Sequence, residues 1–132
     1  MAQEDDLAAL RRVYEAWAAG DLTGVPPFDP HVVYISQATE LDPGPHYGLE
    51  TFTTYFRRFL ASWDDWRMEA MEYREHGDSL VVRVRRSAVG KESRVPFEDE
   101  AFHVWTFRGG KIIRLEVFEQ DEEALEAVGL RE

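Results

Sequence analysis

His103 and Tyr34 are the side chains of this sequence best suited to hold or move a proton at a substrate. An imidazole with an ordinary pKa near ~6.5 exchanges protons around neutrality, and a phenol donates a hydrogen bond to a ligand oxygen. Whether His103 can act depends on the hairpin AFHVWTFRGGKIIRLEVF, Ala101 to Phe118, because side chains alternate faces along a strand. If Arg108, Gly109 and Gly110 form a three-residue loop, His103, Trp105 and Phe107 share a face with Ile113, Leu115 and Val117. His103 is then the one ionisable group on an apolar wall. If Gly109 and Gly110 alone make the turn, the parity changes and His103 faces Arg114 and Glu116 as a surface ion-pair partner. The longer loop is expected, since Gly110 suits the left-handed position of a G1 bulge and Lys111 can re-enter the ladder.

On an apolar wall, His103 would serve as general base or carbonyl-polarising donor, or donate one structural hydrogen bond to a ligand, water or tyrosine hydroxyl. Tyr34 can face inward, as its alternation with Val32 and Ser36 along HVVYIS permits. Trp17, Tyr14, Tyr55, Phe59, Met68, Trp105, Leu115 and Val117 are the expected ligand-binding wall, with Trp63 and Trp66 as further rings, although aromatics at helical spacing also simply fill cores. His46 would sit at the mouth. Glu40 and Asp42 lie on a rim loop that could bring a carboxylate over the pocket, or remain solvated. His31 and His76 fall at a strand start and a turn. No short histidine pair has metal-ligand spacing, so neither a metal nor another cofactor is expected.

These groups need a scaffold. Leu7, Leu10, Tyr14 and Trp17 recur at helical spacing over Gln3 to Ala19, after Glu4, Asp5 and Asp6, and Gly20 stops that helix. Asp21 can cap a short turn through Val25, PPFDP breaks regular structure, and His31 to Ser36 reads as a strand. Residues 37 to 48 form an irregular loop. Leu49, Phe52, Tyr55, Phe56, Phe59 and Leu60 give a second helix, Leu49 to Ser62, a broad apolar face. Trp66 to Glu75, Ser79 to Ala88, Val95 to Phe107 and Lys111 to Phe118 then read as an antiparallel meander, and Asp121 to Val128 as a short closing helix stopped by Gly129. Two helices with apolar stripes need the face of a curved sheet. The predicted architecture is a single α+β domain over residues 1–132, a curved antiparallel sheet wrapped on helices to form a cone with an internal pocket. Arg83, Arg85, Arg114 and Glu116 would point outward, beside Phe102, Val104 and Phe118 as a face for a homodimer.

Composition narrows the partners. Fifteen Lys and Arg against 26 Asp and Glu give a net charge of −11, which repels phosphate backbones and anionic membrane surfaces. Neither nucleic acid nor membrane is expected as a partner. There is no cysteine, which removes disulfides and thiolate chemistry. The acidic start has no apolar core of signal-peptide length, and no run approaches the ~18 apolar residues of a membrane span, so a cytoplasmic location is expected.

In YEAWAAGDL (Tyr14 to Leu22), FDPHVVY (Phe28 to Tyr34), HYGLETFTTYF (His46 to Phe56), HVWTFRGGKIIRL (His103 to Leu115) and EEALEAVGL (Glu122 to Leu130), the chain resembles the SnoaL-like domains of the nuclear transport factor 2-like superfamily. The resemblance implies a cone fold with a pocket between sheet and helices, and dimerisation through the outer sheet face. Similar polyketide cyclases pair a His with an Asp on the last strand; His103 matches that His, and Val117 stands where the Asp would be. Similar ketosteroid isomerases place an Asp base and a Tyr donor where this chain has Ser36 and Val13, and Tyr14, one residue on, is rotated about 100° from that place. The Asp-Arg-Asp relay of similar epoxide hydrolases cannot be assembled from pocket-facing positions. The expected role is to bind a small, apolar, oxygen-bearing molecule, as a cofactor-independent cyclase, isomerase or hydrolase using His103, or as a non-catalytic ligand-binding or dimerising interaction module.

Overall fold

The computed structural model describes residues 2–21, 26–36 and 45–127. The turn at 22–25, the rim-loop residues Glu40 and Asp42, and the stop at Gly129 lie outside the described residues, as do the side chains of Ser36 and Asp121. Three helices, α1 (Ala2–Ala18), α2 (Leu49–Leu60) and α3 (Asp121–Ala127), accompany six strands: β1 (Phe28–Ser36), β2 (His46–Tyr47), β3 (Trp63–His76), β4 (Ser79–Gly90), β5 (Pro96–Arg108) and β6 (Lys111–Phe118). The strands form one sheet in the order β2-β1-β6-β5-β4-β3. The meander β3 to β6 is antiparallel, whereas β1 lies parallel to β6, so the sheet is mixed rather than wholly antiparallel.

The amphipathic stripe of α1 buries Leu10, Tyr14 and Trp17, and α2 buries Phe52 and Tyr55, all in the core formed with the inner face of the sheet. No basic residue stands in the last turn of α1 to meet its orphan carbonyls. Arg67 of β3 supplies one: its Nη1 donates to the Ala18 carbonyl at 3.2 Å, with the helix stopped at Gly20 in the left-handed region (φ 86°). Bulges in β3, between Asp64 and Arg67 and between Ala70 and Glu72, bend that strand.

The β5–β6 hairpin departs from the predicted three-residue loop. Arg108 pairs with Lys111, so the turn is Gly109-Gly110 alone, with φ of 57° and 77° as a two-residue I′ turn requires. A regular ladder from that turn would have set His103 against Glu116. Instead the register slips between Thr106 and Phe107: Phe107 pairs with Ile112 and Thr106 with Arg114, leaving Ile113 as the extra residue. The slip restores the parity, His103 pairs with Val117 and Trp105 with Leu115, and all four side chains are buried. The inner face therefore receives Ile112 in place of the expected Ile113.

The outer face differs from expectation as well. Phe102, Val104 and Phe118, read as a dimer surface, are buried with Val81 beneath Ala124 of α3. An apolar outer stripe must be covered by something, and the chain's own closing helix does so. Arg83 pairs with Glu100 at 3.0 Å and Arg114 with Glu116 at 3.2 Å, as outward cross-strand and same-strand pairs.

Replacing Ala124, which has no exposed surface, by Asp would bury a carboxylate against Phe102 and Phe118. We expect Ala124→Asp to lower the unfolding free energy by roughly 2–4 kcal/mol in urea titrations. A change within experimental error would mean that α3 does not cover this face.

Candidate functional site

The inner face of β5 presents His103 and Trp105 two residues apart, hence on the same side, and α1 lays Tyr14 across both. The Trp105 indole Nε1–H donates to the Tyr14 hydroxyl at 2.8 Å, and that hydroxyl lies 2.6 Å from Nδ1 of His103. Tyr14 is 2% exposed, Trp105 0% and His103 5%, so the chain of bonds is closed to bulk water.

Donor and acceptor counting gives this chain a direction. An indole N–H can only donate, so the Tyr14 oxygen accepts from Trp105; the phenol proton then finds its acceptor in Nδ1 of His103, whereas a hydrogen on Nδ1 would leave that buried proton with no acceptor among the described partners. Burial pushes the Tyr14 phenol well above its ordinary pKa, with the Trp105 bond opposing in part, so that proton stays on the oxygen at neutral pH. Burial, and after it the guanidinium of Arg86, lowers the His103 pKa from 6.5 to about 3. A neutral ring accepting at Nδ1 carries its hydrogen on Nε2. Among the roles expected of His103 is a structural bond to a tyrosine hydroxyl; Tyr14 is that hydroxyl, and pairing every buried hydrogen makes it the donor.

His103 also lines an open cavity of about 330 Å³ bounded by α1, α2 and the inner face of the sheet. Of the residues expected at a ligand wall, Trp17, Tyr34, Phe59, Met68, Trp105, Leu115 and Val117 line it, joined by Phe28, Phe52 and Phe56. Tyr14 is not on that wall. It lies beneath, where its hydroxyl serves the two β5 side chains. His46 and Tyr55 also stand off the lining: the His46 ring is 4.4 Å from that of Tyr55 and 6.0 Å from that of Tyr34, in a cluster between the β1–β2 edge of the sheet and α2. Ser36 pairs with Val117 in the β1–β6 ladder, and its side chain is not among those described.

Arg86 is the group that sequence reasoning missed. It lines the cavity at 5% exposure, held by a bidentate pair with Asp99 (Nε 2.8 Å, Nη2 2.5 Å) and lying 5.9 Å from the Trp66 ring centre and 6.0 Å from that of Phe97. Strand parity carried the signal: with Arg83 and Arg85 outward, Val82, Val84 and Arg86 must point inward. Trp66 lines the same cavity, and its indole N–H is buried without a hydrogen-bond partner. No group of three His, Asp or Glu side chains able to hold a metal occurs among the described residues. Nor, among them, is any helix long and apolar enough to cross a membrane.

This arrangement, a curved mixed sheet holding two helices on its inner face around a cavity, is the cone fold of the nuclear transport factor 2-like proteins. Residues 10–115 match the SnoaL-like domain family, and the chain belongs to it. Among solved structures, it is similar to a SnoaL-like polyketide cyclase assignment from Jannaschia sp. CCS1 (13% identity, 98% of this chain and 94% of that one, TM-score 0.75). It is also similar to a nuclear transport factor 2-like protein of unknown function from Burkholderia pseudomallei (21% identity, 95% and 98%, TM-score 0.74). A third is TerC co-crystallised with polyporic acid (20% identity, 94% and 98%, TM-score 0.74). No curated protein matches the chain.

Two outcomes follow from the hydrogen-bond chain. Imidazole ¹⁵N shifts should show His103 protonated at Nε2 and bare at Nδ1 across neutral pH, and Tyr14→Phe, which orphans the Trp105 N–H, should cost roughly 1–3 kcal/mol of stability. The pH dependence has a defined sign. Because the folded pKa of about 3 lies below the unfolded value of 6.5, the unfolded chain binds the extra proton between them and stability falls as pH drops through that window. Urea midpoints of the wild type should therefore fall more steeply than those of His103→Gln from neutrality to about pH 5, where ordinary carboxylates are still ionised. Parallel slopes would contradict a buried, neutral His103.

Proposed function

We propose that the cavity binds a small, mostly apolar molecule bearing an acceptor oxygen, a carbonyl in the simplest case, and that His103 engages this oxygen through Nε2–H. The observation that carries the reading is the Trp105–Tyr14–His103 chain. It commits the Nδ1 lone pair to Tyr14 and leaves an N–H as the imidazole's remaining polar edge, on a residue of the cavity wall. A ring in this state has no lone pair with which to abstract a substrate proton, so His103 acts as a hydrogen-bond donor and not as the general base. In a ring-lined cavity, such a donor polarises a carbonyl more strongly than water does.

Polarising a carbonyl assists proton shifts and ring closures at the adjacent carbon, the chemistry of isomerases and cyclases, and the similarity to a SnoaL-like polyketide cyclase assignment accords with it. Tyr34, two strands away on the same inner face of the sheet, helps to shape the apolar frame around the ligand. The co-crystallisation of TerC, of like fold, with polyporic acid also accords with a small-molecule role.

The neutral aromatic ketone 2-acetylnaphthalene is a suitable probe. On binding, its carbonyl stretch should move to lower frequency. His103→Leu should abolish that shift and weaken binding roughly tenfold, the worth of about one hydrogen bond. Binding with an unshifted carbonyl, unaffected by the substitution, would remove His103 from the site.

A further inference from the structure

Resting on that reading, we infer that the natural ligand carries a second oxygen, an anionic one, recognised by the indole N–H of Trp66 and the guanidinium of Arg86. Trp66 is 4% exposed and its Nε1–H has no partner, on a residue that borders the cavity. Buried polar hydrogens are almost always bonded, and an orphan beside a cavity that receives a ligand points to the ligand as its partner. A ligand with a single oxygen on His103 would leave this donor bare.

The charge at that end of the cavity favours an anion. Arg86 borders the cavity, while Asp99, its partner, is cross-strand on β5, does not line the cavity and is about one-third exposed. The carboxylate thus holds the guanidinium from a residue outside the cavity lining. The described lining consists otherwise of apolar side chains, hydroxyls, His103 and the cation Arg57, with no carboxylate among them. The field of Arg86 reaches His103, where it adds to burial in keeping the ring uncharged. Two donors and a cation on an apolar frame suit a ketone that is also a carboxylate, or an ionised enol or phenol. A neutral hydrocarbon ketone uses only half of this wall.

The test compares 2-acetylnaphthalene with 6-acetyl-2-naphthoate, which adds an ionised carboxylate to the same frame, by calorimetry on the whole chain at neutral pH. The acid should bind roughly ten- to a hundredfold more tightly, the range expected of a charge-assisted hydrogen bond. Trp66→Phe, which removes the N–H while keeping a ring, should erase most of that gain, read as the ratio of acid to ketone affinity within the same variant; Arg86→Gln should also erase it. If the ketone binds through His103 and the acid binds no better, this inference fails while the proposed function stands. A gain that survives Trp66→Phe but vanishes in Arg57→Gln would put the anion elsewhere and overturn it too. If neither probe binds, the proposed function itself fails.

Discussion

One hydroxyl, that of Tyr14, joins the stability of the fold to the chemistry of its cavity. A phenol taken out of water must be hydrogen-bonded on both its roles or cost the fold several kcal/mol. Here both partners come from β5, so docking α1 on the sheet and satisfying the phenol are the same event. Trp105 can only donate, and giving the Tyr14 proton to Nδ1 is the arrangement that leaves neither buried hydrogen bare, so packing beneath the cavity favours the Nε2–H tautomer of His103 before any ligand arrives. The rings around Tyr14, with Trp17 at 5.2 Å and Trp105 at 6.1 Å in edge-to-face contact, hold the hydroxyl in place by packing.

Much of the scaffold could be read from periodicity, since a stripe every three or four residues or an alternation along a strand reports burial directly. The four-strand meander and both long helices were legible for this reason. Turn length was not. Arg108-Gly109-Gly110 suits either a three-residue loop or a two-residue turn, and what set the face of His103 was a bulge at Ile113, for which adjacent β-branched residues give no local signal. His103 reached the inner face by a different route from the one expected. The outer face shows a related limit: Phe102, Val104 and Phe118 form an apolar stripe whoever covers it, and only the coordinates identify α3 as the cover. Within the site, Tyr14 was legible as an inward ring but not as a group below the wall, because its place depends on how closely α1 approaches β5. Arg86 was legible from parity, yet a cation in a β-strand is ordinarily taken for surface.

The β5–β6 register also explains how this site differs in kind from the cyclases that the chain resembles. Val117 stands directly across from His103, at the place where the resemblance implies an Asp. Cross-strand neighbours lie about 4.5–5.5 Å apart, close enough for a carboxylate there to accept from the imidazole and favour its charged form. Valine does neither. It offers an Nε2–H no acceptor and adds to the apolar surroundings that, with Arg86, hold the ring neutral. Losing the acid on the last strand therefore does not simply delete half of a catalytic pair. On the proposed reading, it leaves the histidine as a fixed donor, and a proton that moves in this cavity is taken by a group other than His103.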